Sequence, residues 1–262
     1  MTAPRKLLIF AGTTEGSAVT QAALARGHAV TVSVATAYGA ELFHELPVAP
    51  TALTLLQGRR TETELLSLVP AFDAVIDATH PYAATVTQSL RTVCQTTQTP
   101  YYRLLRQPQH IQYERLQEFS TLTALVDALF AVEGNIFVAT GSKELSAFSV
   151  LPRYRERLFV RVLPSVEALQ ACERVQLPAS HIIAMQGAFS CELNAALFRQ
   201  YECSALVTKE SGAAGGYAEK IEAARALSMD VYALLPPVEA TARVFTDAAA
   251  LLTAVEEEVR DD

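Results

Sequence analysis

Short apolar runs rich in β-branched residues alternate along this chain with stretches in which apolar residues recur at helical spacing. Residues 6–10 form the first run and predict a strand. A helical pattern over 15–26 follows, closed by Gly27, a residue suited to the left-handed turn at a helix C-terminus. Residues 28–35 and 74–77 predict further strands, then a helix over about 83–96 and a strand at 101–105 behind Pro100. These runs are nearly continuous in apolar residues, as parallel strands covered on both faces are.

Residues 106–120 break the rhythm. They are polar, hold Gln, His, Pro and Arg without a clear period, and predict a crossing from one unit to another. Strands are then predicted at 135–139, 158–163, 181–186, 205–209 and 229–235, with helices at 166–174, 191–201 and 216–227 between them. Pro236-Pro237 ends the series, and a last helical pattern over 247–259 can pack on either unit. Repeated strand–helix units imply parallel sheets with right-handed crossovers. The expectation is an α/β chain of two Rossmann-like, doubly wound parallel-sheet domains with a cleft between them. The expected domains are residues 1–105, binding NAD(P)H, and 106–262, binding substrate. Ligands in such sheets bind outside the carboxyl ends of the strands.

With 262 residues, 50% hydrophobic and 19% charged, the chain has enough apolar material for two cores. Its net charge of -7, without a basic run, excludes a surface that tracks nucleic-acid phosphates. No apolar stretch reaches membrane-spanning length, and the run at 7–11 is too short for a signal-peptide core. Cys94, Cys172, Cys191 and Cys203 form no CxxC pair and have no His at ligand spacing, so no metal site is expected. A reduced, cytoplasmic setting suits them.

Chemistry concentrates at the strand ends. The first strand runs into Gly12-Thr13-Thr14-Glu15-Gly16. Glycines there permit a sharp turn and close approach to a phosphate, and the following helix offers unpaired N–H groups and a positive dipole end. The plain alternative is a tight turn with Thr as the helix cap. An NAD site usually carries an acid after the second strand. Here no acid comes before Glu41, and Ser33 and Thr36 can donate to a 2′-phosphate, which favours NADPH over NADH. The next loop, Ala78-Thr79-His80-Pro81-Tyr82, offers Ala78 and Thr79 to the cofactor and His80 for contact with substrate or nicotinamide or for proton transfer, or as a loop histidine bonded to backbone. In the second unit, Lys143 (in Gly141-Ser142-Lys143) and Lys209 (in Lys209-Glu210-Ser211-Gly212) follow strands, while Lys6 and Lys220 are the other lysines. Placed so, an ammonium can pair with a carboxylate or phosphate. The glycine-rich stretch 212–216 suggests a loop closing over the site. Tyr217 and Lys220 are three apart, so the Tyr-x-x-x-Lys pair of short-chain dehydrogenases is absent, as are HExxH and GxSxG.

The set GTTEG (12–16), SVATAYGAEL (33–42), DATHPYA (77–83), GSKEL (141–145), RVLPS (161–165), IIAMQGAFS (182–190) and VTKESGAAGGYAEKIEAA (207–224) resembles the precorrin-6A reductases of cobalamin biosynthesis. Order and spacing agree from about residue 7 to 237; DATHPYA and TKESG are the specific motifs, and Ala11 stands where the family opens GGT. The resemblance implies hydride transfer from NADPH to a macrocyclic tetrapyrrole, precorrin-6A or its cobalt form, giving precorrin-6B. NADH is the alternative donor. Acetate and propionate carboxylates of that substrate suit Lys143 and Lys209, with Glu210 and Ser211 ordering the loop. His80, Tyr82, Lys209 or water would supply the proton. The competing readings are a general NAD(P)H reductase of a small ketone or enone, and a non-catalytic NADP(H) sensor. Either a monomer or a small homo-oligomer fits.

Overall fold

The apolar runs assemble into two parallel sheets, each with six strands among the described residues. The computed structural model describes residues 3–36, 39–40, 43, 52–105, 109–212, 215–237 and 243–258. The chain divides into one unit made of residues 1–107 and 237–262 and another made of 108–236.

The first unit contains β1 (Lys6–Ala11), α1 (Thr14–Ala25), β2 (Ala29–Val34), β3 (Leu53–Gln57), α2 (Glu62–Leu68), β4 (Ala74–Asp77), α3 (Ala84–Thr97) and β5 (Tyr101–Leu104). The second contains β6 (Leu116–Phe119), α4 (Leu122–Ala128), β7 (Asn135–Val138), α5 (Leu145–Phe148), α6 (Tyr154–Arg157), β8 (Leu158–Val162), α7 (Val166–Arg174), β9 (Ile182–Ala184), α8 (Cys191–Gln200), β10 (Cys203–Lys209), α9 (Tyr217–Ala226) and β11 (Asp230–Leu234). The chain then returns to the first unit as β12 (Val244–Phe245) and α10 (Ala248–Glu258).

Strand order is β12-β5-β4-β1-β2-β3 in one sheet and β6-β11-β10-β7-β8-β9 in the other. Both follow the doubly wound plan, with order reversing beside β1 in the first and beside β7 in the second. The outermost strands are exchanged along the chain. The first sheet takes its sixth strand from beyond β11, and the second takes its own from ahead of β7.

That exchange corrects the expected division at 106–262. Residues 237–262 complete the first unit because α10 buries Leu251, Leu252 and Val255 in the same core as Tyr102, Leu104 and Val19. Arg26 fastens it by donating to Glu256 at 3.2 Å and to the Ala249 carbonyl at 3.0 Å. The stretch read as a featureless crossing also holds β6, paired in parallel with β11. Residues 106–108 of that stretch, Glu41, Ala213, Ala214 and Val259 lie outside the described residues.

Candidate active site

β1 ends at Ala11 in the middle of the first sheet, and the chain turns at Gly12 with φ +129° into α1. A Cβ at Gly12 would meet none of the described residues within 4 Å, so the turn leaves room ahead of it among them. At Gly16 the opposite holds. A Cβ there would sit 2.6 Å from Ala11 Cβ, so only glycine lets α1 start this close to β1. Thr13 caps the helix, accepting from Gly16 N at 3.2 Å and donating to the Ala78 carbonyl at 3.0 Å. Its hydroxyl therefore serves the fold, and it ties the 12–16 turn to the loop after β4. Thr14 is exposed in the first turn of α1, beside half-buried Glu15.

The loop after β4 rests on a buried ion pair. Asp77 and Arg103, opposite one another on β4 and β5, have fully buried side chains 3.0 Å apart. Asp77 also accepts from Thr79 N (3.0 Å), Thr79 Oγ1 (2.6 Å), Thr87 Oγ1 (2.7 Å) and Tyr101 Oη (2.9 Å). Arg103 donates to the carbonyls of Asp77 (2.8 Å) and Thr79 (3.0 Å). Removing two charges from water is costly, and these added bonds are what offset it. The loop backbone is thereby fixed, with Ala78 buried and half-buried His80 and Tyr82 at its outer turn. His80 Nδ1 accepts from Tyr82 N at 3.3 Å, which puts the proton of a neutral imidazole on Nε2. The two rings lie 5.5 Å apart. Helix α3 starts only at Ala84, so Pro81 belongs to the turn and does not open the helix.

Ser33 is buried within β2, and exposed Thr36 beyond it accepts from Gly39 N at 3.1 Å. The chain leaving β3 brings two arginines to the end of β2. Gly58 N bonds the Val34 carbonyl at 2.9 Å, so Arg59 and Arg60 follow directly beside the end of β2. Arg59 is exposed, and Arg60 lies 3.9 Å from Glu64.

In the second unit, Gly141 turns at φ +83° behind β7, Ser142 is half-buried and Lys143 is exposed. Lys209 is already paired, donating to both oxygens of Glu144 at 2.7 Å. Placed at the end of β10, it thus joins the GSKE and TKESG loops. Buried Glu210 accepts from Gly212 N at 2.9 Å and Gln109 N at 3.4 Å, holding the turn that contains buried Ser211 and Gly212.

Two further cations that the sequence did not single out belong to this unit, half-buried Arg161 and buried Lys220. Arg161 on β8 bonds Asn194 Oδ1 at 2.8 Å and lies 4.5 Å from the Phe189 ring, and burial lowers its pKa to about 10. Lys220, in the first turns of α9, is 6% exposed. Burial, then the neighbouring Arg161, push its amine down to about 7 against the opposing pull of Glu219 and Glu210. Among the described residues no His, Cys, Asp and Glu gather as a metal site, and no helix is long and apolar enough to cross a membrane.

Two parallel sheets, each with chemistry-bearing loops at its strand ends, match a known family from near one end of the chain to the other. The profile described as precorrin-6x reductase CbiJ/CobK matches residues 6–256. The chain belongs to the precorrin-6x reductase family. Membership of this CbiJ/CobK family makes it an oxidoreductase of cobalamin biosynthesis. It is 32% identical over 229 residues to a cobalt-precorrin-6A reductase of Priestia megaterium, covering 86% of this chain and 88% of that one. A precorrin-6A reductase of Rhodobacter capsulatus is 28% identical over 229 residues, covering 86% of each. Among solved structures, a CobK precorrin-6A reductase superposes with a TM-score of 0.72 at 23% identity, covering 97% of this chain and 96% of that one. That likeness supports the fold of both sheets.

Proposed function

We propose that this chain reduces one double bond of precorrin-6A, or of its cobalt form, with hydride from NADPH, giving precorrin-6B. The match to the precorrin-6x reductase family over residues 6–256 carries this reading. The first sheet has a loop suited to the cofactor. The room left ahead of Gly12 among the described residues and the close fit at Gly16 suit a pyrophosphate held on the backbone amides of 12–16 at the N-terminus of α1. Arg59 and Arg60, brought beside the end of β2, suit the 2′-phosphate that separates NADPH from NADH. When bound, the nicotinamide supplies the hydride.

The protein's own part is positioning and protonation. The Asp77–Arg103 pair fixes the Ala78–Thr79 backbone, and so the stance of His80 and Tyr82. The ring proton on Nε2 makes His80 the candidate donor to the carbon next to the one reduced. The loops at 141–143 and 209–212 would receive the tetrapyrrole. Lys209, paired with Glu144, orders these loops, and Lys143 is the exposed cation among them. The test is incubation of the purified protein with precorrin-6A and with its cobalt form, each with NADPH and NADH. Joint loss of reduced-nicotinamide and substrate absorbance is expected, faster with NADPH. No oxidation of either cofactor with either tetrapyrrole would overturn the proposal.

A further inference from the structure

The three carbonyls that lead into His80 are each held by a side chain. Arg103 on β5 donates to those of Asp77 (2.8 Å) and Thr79 (3.0 Å). Thr13 donates to the one between them, that of buried Ala78, at 3.0 Å. The Ala78 amide is held as well, on the Phe10 carbonyl at 2.8 Å. The peptides before His80 are thus fixed from two sides, by the ion pair of β4 and β5 and by the turn that follows β1. β1 and β4 are neighbours at the point where strand order reverses, so the two loops share that end of the sheet.

Thr13 belongs to the 12–16 turn through its oxygen and to the His80 loop through its proton. A hydroxyl has one proton, and here it goes to Ala78 while the oxygen accepts from Gly16 N at 3.2 Å. Its β-branched side chain has little rotamer freedom, so a shift of the turn is passed on and not absorbed. Gly16 abuts the same carbonyl, since a Cβ on it would lie 3.7 Å from Ala78 O. Beyond Ala78 the path to the imidazole is short and stiff. Arg103 holds Thr79, Ala83 N bonds the His80 carbonyl at 2.8 Å, and Tyr82 N bonds His80 Nδ1 at 3.3 Å.

We infer that Thr13 is a positioning residue for the reduction, its hydroxyl setting the stance of His80 according to whether nucleotide phosphates occupy the 12–16 turn. This rests on the proposed function for the cofactor and for the part of His80 in proton delivery. Proton transfer needs heavy atoms about 2.6–3.2 Å apart, so a displacement of about 1 Å in this loop separates a competent ring from an idle one. The consequence is that His80 is brought to its working position by the same nucleotide that delivers the hydride.

The experiment compares the wild type with Thr13→Ser, which keeps the donor, and Thr13→Val, which keeps the shape without it. Thr13→Asp is the second variant without a donor, because an ionised carboxylate still caps Gly16 N but has no proton for Ala78. The first arm needs no turnover. It follows the ring resonances of His80 by NMR, assigned with His80→Gln, while 2′-phospho-ADP-ribose is added to saturation. This probe carries the phosphates of NADPH and no nicotinamide to touch the ring. The His80 resonances should shift in the wild type and Thr13→Ser and stay in place in Thr13→Val and Thr13→Asp. A residue that only caps α1 would weaken probe binding and leave the response at saturation intact. No response in the wild type, an equal response in the variants lacking the donor, or failure of both of these to fold overturns the inference. The second arm measures turnover of the tetrapyrrole. Thr13→Val should lower kcat at least tenfold and raise the solvent deuterium isotope effect on kcat, with Thr13→Ser restoring both; a lower kcat with an unchanged isotope effect overturns the inference. If the wild type reduces neither tetrapyrrole, the functional proposal fails and the NMR arm decides alone.

Discussion

Replacing Gly16 with alanine tests how the cofactor loop is built. The added methyl would lie 2.6 Å from Ala11 Cβ, 3.1 Å from Ala11 Cα and 3.7 Å from the Ala78 carbonyl oxygen. Carbon atoms rest about 3.5–4.0 Å apart, so α1 must retreat from β1 by about 1 Å. Both clashing atoms belong to rigid elements, and no rotamer change relieves them. Overpacking of this kind costs about 1–3 kcal/mol, or about 2–12 °C in melting temperature. The retreat also draws Thr13 from the Ala78 carbonyl and moves the helix N-terminus off the proposed phosphate position. Thermal melting and NADPH titration by fluorescence are the assays, with at least a tenfold loss of affinity expected. Ala11→Gly combined with Gly16→Ala removes the 2.6 Å contact and leaves the 3.1 Å one, so it should recover part of both losses. A single variant that melts within 1 °C of the wild type and binds NADPH within twofold refutes the reasoning, as does a double variant no better than the single.

Other expectations follow from the same geometry. Asp77→Ala leaves Arg103 buried and uncompensated and should lower stability by about 3–5 kcal/mol in urea unfolding; a loss below 1 kcal/mol would show that the pair is not needed. Arg59→Ala should raise the KM for NADPH about tenfold and leave that for NADH unchanged; equal effects on both would remove Arg59 from 2′-phosphate recognition. Because Lys220 titrates at about 7 when folded against 10.5 ordinarily, the unfolded chain binds the extra proton between those values. Its contribution to stability therefore rises with pH across that window, by up to about 1.4 kcal/mol per pH unit, and is absent from Lys220→Met. Urea midpoints of the two proteins at pH 7 and 8.5 check this, and parallel changes in both would contradict it. His80→Ala should cut turnover at least tenfold with the NADPH KM unchanged, read in the same absorbance assay.

The inner strands were legible because parallel strands covered on both faces are almost continuously apolar, as at 6–11 and 74–77. The outer ones were not. β6 reads Leu-Gln-Glu-Phe, pairs on one side only and exposes Gln117 and Glu118, so it looks like a loop. β12 is two residues long and joins a strand some 140 positions earlier. Helix α2 and strand β3 were passed over as well, and with them the route by which Arg59 and Arg60 come beside β2. At the site, the 12–16 turn was readable from its glycines. The Asp77–Arg103 pair was not, since a charge inside a predicted strand gives no sign of which strand lies next to it. The surroundings of Lys209 and Lys220 were hidden for a related reason. Strand-end position is visible in a sequence, whereas the Glu144 that occupies one lysine and the burial of the other are tertiary facts.

The exchanged sixth strands set an order for assembly at the ribosome. Everything the second sheet needs lies in one uninterrupted run, residues 108–236. The first sheet begins sooner but waits, because Leu251, Leu252 and Val255 emerge after that entire run. The later-made half of the protein is therefore free to mature while the earlier-made half still shows a bare apolar face along α1. Nascent chains stalled near residue 236 should recruit chaperones to the first unit, and release of the final two dozen residues should end that dependence.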